Sequence, residues 1–551
     1  MQARDFGCCC LQLPRPPGVF GFFGVFGFCG DRECGLKNAR QQSRRRWLPA
    51  AAPGPRGASR LRLATVACAL ASLLLVRTAG ADALPFLPPG DARLRHEVQL
   101  EADEGSVPIP LATTWPIPTR DLPADKRDSL HSEQQPGTST DAGWFLDGAS
   151  NPTRLRTFDS TPRESGEAGL QAGWAAGDYA GGVFRMSYAL KPQDDKHYRF
   201  DDSYVAWRLG NWWFTAGEQQ RWWGPGHDSS LILSNNARPL PQLAIERASS
   251  EAFETKWLSW IGPWRFTTFM GKLENDNSGF PHPLLWGARL TFRPVPWFEG
   301  GLSRVAQWCR PGYCRLKDFE HVLTGGGTPL GQGPQAGPFP GAGDHPGKQH
   351  AGYDLRVRSP WYALPLAYYW SWVGADFVNH WKPTKRLRQD GIEYWDKYAD
   401  GTSLRVFLEY TDATCSAGAP QPVLHCAYED SLFSGGYRTR GRVIGASVDT
   451  DGQLYTLGGI YVDGKGRSWQ LRLRKGKLNH GALDPTDPIA QRNTVSGVRA
   501  DLFNVEAQVD GRFDRFTYRV GVGGDRLAPI DRPRSFSGRV FLNLSVPWAL
   551  Q

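Results

Sequence analysis

Trp286-Gly287-Ala288-Arg289-Leu290-Thr291-Phe292-Arg293 is apolar at every even position and polar or glycine at every odd one. Side chains of a strand point to its two faces in turn, so this octet makes a ribbon with two sides. Trp286, Ala288, Leu290 and Phe292 lie on one side, Arg289, Thr291 and Arg293 on the other. The same period recurs downstream, where Tyr353, Leu355 and Val357 oppose Asp354, Arg356 and Arg358, and Leu404, Val406, Leu408 and Tyr410 oppose Arg405, Phe407, Glu409 and Thr411. It strengthens toward the end: Trp469, Leu471 and Leu473 oppose Gln470, Arg472 and Arg474, and Phe503, Val505, Ala507 and Val509 oppose Asn504, Glu506, Gln508 and Asp510. One face of each ribbon needs a dry surrounding, and the other needs water or ionic partners.

A closed transmembrane barrel supplies both, because lipid accepts the apolar band, the interior accepts the polar set, and closure leaves no sheet edge in the hydrocarbon. A soluble sandwich buries its apolar face against a second sheet, and the period alone does not separate the two folds. Three features favour the membrane. Trp212, Trp213, Trp260, Trp264, Trp297 and Trp548 cluster at strand ends as interfacial girdles do, a secretion signal precedes the strands, and the last alternating segment runs to the C-terminus. The expected fold is all-β, a transmembrane antiparallel β-barrel over residues 154–551, with strands of about ten residues giving roughly 18 to 20 and an even number near eighteen. Gly262-Pro263 and Arg293-Pro294-Val295-Pro296 read as tight turns, and Leu323 to Gln349, rich in Gly and Pro, as a long outward loop.

The formal charge of +9 is confined to the start of the chain. Residues 1–81 hold twelve Lys/Arg and three Asp/Glu, leaving 52 of each sign in the remainder. A neutral mature chain lacks the positive field that draws proteins to phosphate backbones, so nucleic acid is not an expected partner. The basic residues Arg56, Arg60 and Arg62 precede the apolar run Leu63–Val76 and the small residues Ala79-Gly80-Ala81. This is the outline of a signal peptide over 56–81, cleaved after Ala81 or Ala83, since a spanning helix needs roughly 20 apolar residues. Residues 1–55, with Cys8-Cys9-Cys10 and a Gly/Phe run, read as a leader from a start assigned too early, or as an unusually long n-region.

Beyond this leader four cysteines remain, Cys309, Cys314, Cys415 and Cys426. In an oxidising envelope the short separations suggest Cys309 with Cys314 and Cys415 with Cys426, although four cysteines permit three pairings. Zinc fits less well, since only His425 neighbours a thiol; no metal and no cofactor is expected. Residues 82–153 read as a partly helical periplasmic region and linker. Asp91 can cap a helix running to Glu104, with Leu94, Val98 and Ala102 on one stripe and Gly105 as its stop. Pro108, Pro110, Pro116 and Pro118 break the chain before a second helical stretch, Thr119 to Leu130, and a polar linker from Ser132 to Gly148.

One segment departs from alternation, Gln220 to Arg247, QRWWGPGHDSSLILSNNARPLPQLAIER. Arg221-Trp222-Trp223-Gly224-Pro225-Gly226 and Ser230-Leu231-Ile232-Leu233-Ser234-Asn235-Asn236-Ala237-Arg238-Pro239 resemble the signature of the Wzi capsule assembly family. Trp257-Leu258, Ile261-Gly262-Pro263-Trp264, Gly287-Ala288-Arg289, Leu302-Ser303-Arg304 and Ala351-Gly352-Tyr353-Asp354-Leu355-Arg356 keep that family's order. The resemblance implies an eighteen-stranded outer-membrane barrel with a small periplasmic helical bundle, acting as a lectin that helps retain capsular polysaccharide. The Pro-rich stretch after Gly90 only partly fits the bundle, and the chain ends without a terminal aromatic residue.

A lectin site stacks aromatic faces on sugar rings and binds hydroxyls or anionic sugars with planar polar groups. Arg221, Trp223, Asn235, Asn236 and Arg238 are the expected groups near polysaccharide, with Arg suited to paired carboxylate contacts. The alternative is that Gly224, Pro225 and Gly226 shape a loop folded into the barrel, which the amides and arginines bond to the wall. A porin or solute channel is the second functional reading, with Arg289, Arg293, Arg356, Arg358, Arg405, Arg472 and Arg474, faced by Glu409, Glu506 and Asp510, lining an ion path. Such ladders are more often wall networks. No G-x-S-x-G, H-E-x-x-H or P-loop occurs, and His96, His227, His282 and His425 are scattered, so no enzyme is expected.

Overall fold

The computed structural model describes residues 84–105, 111–122, 142–274, 283–309, 312, 314–324, 347–361, 364–378, 382–417, 423–430, 433, 435–484, 486 and 490–548. The leader, the signal peptide and most of the stretches expected as a second helix and linker lie outside these residues.

Among the described residues, eighteen antiparallel strands close into one barrel. They are β1 (Ala142–Ala149), β2 (Gly166–Ala176), β3 (Ala180–Leu190), β4 (Tyr204–Leu209), β5 (Trp212–Gly217), β6 (Gln242–Arg247), β7 (Trp264–Lys272), β8 (Leu284–Val295) and β9 (Phe298–Trp308). The second half comprises β10 (Gly347–Arg358), β11 (Leu366–Val378), β12 (Lys382–Lys397), β13 (Ser403–Ala417), β14 (Gln453–Val462), β15 (Ser468–Leu478), β16 (Ala500–Phe513), β17 (Phe516–Pro529) and β18 (Ser535–Pro547). Tyr198-Arg199 pairs with β3 ahead of β4, so the two pieces act as one interrupted strand. Each strand pairs with its sequence neighbours, and β18 closes on β1 from Phe541↔Ala149 to Pro547↔Gly143. A closed ring leaves no unpaired backbone in hydrocarbon.

Side-chain alternation follows the expected faces. In β8, Leu285, Gly287, Arg289, Thr291 and Arg293 are buried, while Trp286, Ala288, Leu290 and Phe292 stay partly exposed on the outside. Much of the wall inverts the order of a soluble protein. Leu302, Leu408 and Val540 are 51%, 51% and 57% exposed, whereas Arg265, Arg289, Arg405 and Arg474 are at most 1% exposed. Large apolar groups outside and arginines inside are the arrangement of an outer-membrane barrel.

The first strand starts at Ala142, ahead of the Arg154 start expected from sequence. Its alternation spans only eight residues and is interrupted by Gly143 and Gly148, so it blends into the polar stretch before it. Connections after odd-numbered strands include the long segments 150–165, 191–203, 218–241, 418–452 and 479–499, whereas those after β2, β4, β8, β12, β14 and β16 are turns of two to five residues. Short turns mark the periplasmic rim of such barrels and long loops the outer rim. Trp260, Trp297 and Trp548 are exposed on the short-turn rim, as an interfacial girdle requires. Trp213 instead turns inward against Phe86, because Trp212 and Trp213 are adjacent on a strand and must face opposite ways. Cys309 is bonded to Cys314 at the end of β9, and Cys415 at the end of β13 to Cys426 in the following loop.

Candidate functional site

The lumen is filled from both rims. From the short-turn rim comes helix α1 (Ala92–Glu104), capped by Asp91, whose carboxylate accepts from the backbone N–H of Arg93 at 2.9 Å and Leu94 at 3.2 Å. Gly105 ends it in the left-handed region, at a φ of 81°. Leu94 and Val98 pack with Trp115, Phe158 and Trp222 in a buried apolar cluster. The opposite side of the helix is ionic: Asp103 accepts from Arg356 at 2.6 and 3.0 Å and from Arg405 at 2.9 Å. The helix expected in a separate periplasmic region is therefore drawn inside the ring, because both its apolar stripe and its acid find their partners there.

From the outer rim the loop 218–241, which carries the signature, folds inward. Trp222-Trp223 pairs antiparallel with Thr114-Trp115, and Gly224 donates its N–H to Thr113 O at 2.9 Å. Gly224 has a φ of 132°, which disfavours any residue with a Cβ. At Gly226 a Cβ would come within 2.4 Å of Gln389 Nε2 on β12. The loop tip then meets the wall acids. The N–H groups of His227 and Ser229 donate to Glu409 at 2.7 and 3.0 Å, and His227 Nε2 donates to Glu393 Oε2 at 2.7 Å. Arg95 of α1 donates to the carbonyls of Pro225 and Gly226 at 2.7 Å each. The two inserts thus touch inside the barrel.

Carboxylates on α1, on the signature loop and on the 150–165 loop take up wall arginines. Asp228 receives Arg474 at 2.8 Å, Asp159 receives Arg472 at 2.7 Å, and Asp103 receives Arg356 and Arg405. Arg289 pairs within the wall, with Asp354 at 2.6 Å, and also reaches Thr114 Oγ1 at 2.7 Å. The ladder legible in the sequence is thus the socket of a plug rather than the lining of an open path. Sequence reasoning missed Asp103, Asp159 and Asp228, although the seven inward arginines against four inward acids, Asp354, Glu409, Glu506 and Asp510, signalled that counter-charges had to come from elsewhere.

Burial and the neighbouring Arg95 guanidinium push His227 down to about 4, so it is neutral in the fold and carries its proton on Nε2. An unfolded histidine titrates near 6.5, so the unfolded chain binds the extra proton between about pH 6.5 and 4 and stability falls across that window as pH falls. Relative to His227→Gln, the wild-type barrel is expected to lose up to about 3 kcal/mol between those limits. Urea unfolding at several pH values, followed by tryptophan fluorescence, measures this; parallel curves for both proteins would contradict it.

All five residues singled out in the signature lie inward, brought together on the one inserted loop. Arg221 donates to Gln242 at 2.7 Å and Glu246 at 2.8 Å, and Trp223 packs edge-on against Phe269. Asn235 donates to Phe158 O and Asn236 to Val443 O. Arg238 grips Asp201 with two bonds of 2.7 Å and also reaches Asp194. None of the five is more than 6% exposed. The backbone they hold is in turn an acceptor surface: Arg156 and Arg163 both donate to Asn236 O, at 3.0 and 3.1 Å, and Arg163 also to Asn235 O at 2.9 Å. Tyr428 and Tyr437 of the 418–452 loop donate to Leu231 O and Ile232 O. These contacts bind four outer loops into a fixed platform over the filled lumen.

The model for the family described as capsule assembly protein Wzi matches residues 141–517. An uncharacterized 55.8 kDa protein in the cps region of Klebsiella pneumoniae is 25% identical over 461 residues, covering 80% of this chain and 86% of that protein. The solved structure of Wzi from Escherichia coli, described as an outer-membrane protein involved in group 1 capsule assembly and a carbohydrate-binding β-barrel, superposes with a TM-score of 0.68. It is 20% identical and covers 85% of this chain and all of that one, which makes the fold common to both. With the family model spanning β1 to the start of β17, the chain belongs to the Wzi family of capsule assembly proteins.

Proposed function

We propose that this capsule assembly protein works as a lectin-like anchor, binding capsular or related surface polysaccharide on its outer-rim platform and holding it at the outer membrane. The observation that carries the proposal is the joining of outer loops and α1 through a filled lumen, which suits a fixed receptor better than a conduit. The Escherichia coli relative is described as carbohydrate-binding, which supports the same role for this barrel. The protein binds and does not transform its polymer, in keeping with a sequence without the nucleophile, zinc or phosphate-loop motifs of enzymes. Outer-membrane lipid contacts the apolar exterior, and nucleic acid is not a partner. Arg221, Trp223, Asn235, Asn236 and Arg238 serve polysaccharide by fixing the platform's backbone.

Purified protein is expected to retain the cells' own surface polysaccharide in a pull-down. Trp223→Ala and Arg238→Ala, which loosen the platform, are expected to weaken retention by about tenfold. A correctly folded wild-type barrel that retains no polymer would sink the proposal.

A further inference from the structure

Most charged groups around the outer platform are matched. Glu164, Glu167 and Asp194 surround Arg199, Asp194 and Asp201 hold Arg238, and Asp201 with Glu218 holds Arg440. Four neighbouring arginines are different. Arg154 donates to Val495 O, Arg156 to the carbonyls of Asn236 and Arg163, Arg163 to the carbonyls of Asn235, Asn236 and Ala237, and Arg442 to Arg154 O and Gln193 Oε1. No carboxylate among the described residues comes within ion-pair distance of any of the four; the nearby Glu164, Asp201 and Asp449 already grip other arginines, and Asp202 acts on Arg163 only at longer range.

Arg156 and Arg163 share Asn236 O, Arg442 reaches Arg154 O, and the two pairs lie close enough for Arg442 to act electrostatically on Arg156 and Arg163 on Arg442. Arg156 and Arg442 are 4% and 7% exposed, and the Nε atoms of Arg154 and Arg156 are buried without a partner among the described residues. Burial, with Arg163 and Arg442 beside it, pushes Arg156 well below the usual arginine range, and burial with Arg163 pulls Arg442 down to about 10. Buried cations whose hydrogen bonds go only to neutral oxygens, with carboxylates at longer range, are left with charge only partly compensated, and a guanidinium fork is shaped to accept an oxyanion. Arg154 and Arg163, only partly buried, give the group an opening.

We propose that Arg154, Arg156, Arg163 and Arg442 form a subsite for an oxyanion carried on the polysaccharide, a uronate carboxylate or a sugar phosphate. The subsite rests on the polysaccharide-binding function proposed above and gives it a ligand class, an acidic polymer. The surrounding loops belong to the mouth of the barrel and not to its lipid-facing wall, which places the anion on the bound chain.

The test uses the full detergent-solubilised protein and the cells' own surface polysaccharide in three forms: native, carboxyl-reduced, and dephosphorylated with hydrofluoric acid. Loss of the anion is expected to weaken binding by about tenfold in one of the two treated forms, which identifies the group. Arg154→Gln, whose side chain hydrogen-bonds only the carbonyl of Val495 among the described residues, is expected to weaken native polymer by about tenfold and to leave binding of the anion-free form unchanged. Arg163→Gln is the second variant, and heat-modifiable electrophoretic mobility verifies that both are folded. Equal binding of all three forms, or native-like binding by both variants, overturns the subsite while leaving polysaccharide binding intact. Failure of wild type to bind any form overturns the binding function and the subsite with it.

Discussion

Glu393→Ala is expected to lower the unfolding free energy by about 3 to 5 kcal/mol, the cost typical of removing one partner from a buried ionic cluster. Glu393 lies on β12 and is 1% exposed. Its carboxylate accepts from Arg356 at 2.5 Å, Arg405 at 2.9 Å, His227 at 2.7 Å and Gln99 at 3.3 Å. These donors come from two wall strands, the signature loop and α1, so one carboxylate fastens both inserts to the ring. Without it two guanidinium groups share Asp103 alone. The shift in urea midpoint, read by tryptophan fluorescence in detergent, measures the effect, and Glu393→Gln should fall between wild type and alanine. A loss below about 1 kcal/mol, the scale of an exposed pair, would mean that the cluster does not hold the inserts in place.

The second large effect concerns permeability. Wild-type protein in planar bilayers is expected to show no steady ion channel, since α1 and the signature loop meet inside the ring through Arg95 and the carbonyls of Pro225 and Gly226. Deleting Asp91–Gly105 removes that contact and strips Asp103 from Arg356 and Arg405. Conductance should then rise by about tenfold or more, as for a barrel with a water-filled lumen, with a preference for anions because arginines are left facing the gap. Arg95→Gln combined with Asp103→Asn is the milder version for the case in which the deletion does not assemble. A wild-type barrel that conducts as freely as the deletion would favour the channel function over the anchor.

The barrel could be read from Trp286–Arg293 and its counterparts because a period of two assigns each side chain a face without any knowledge of the neighbours. Arg289 and Asp354 both follow that period, and they meet across β9 at 2.6 Å. The ends of α1 were equally legible, since Asp91 and Gly105 act within a few residues of themselves. Its location was not: Leu94 and Val98 say that one side must be dry, not that Trp115 and Phe158 provide the dryness. Asp228 and Arg474 are 246 residues apart, and local pattern carries no information about such a pair. The same limit applies to Arg221 and Arg238. Their residue types suit a sugar, but Glu246 and Asp201 claim them once the loop has folded into the lumen.

The contact of Arg95 with the signature loop also gives the molecule an axial strut. A polymer tethered at the cell surface is dragged by flow, and tension on the outer loops is passed down the 222–227 segment into α1 and out to β10, β12 and β13 through Arg356, Glu393 and Arg405. The load is thereby shared around the ring, where sheet hydrogen bonds resist it in shear, instead of peeling a single loop from the rim.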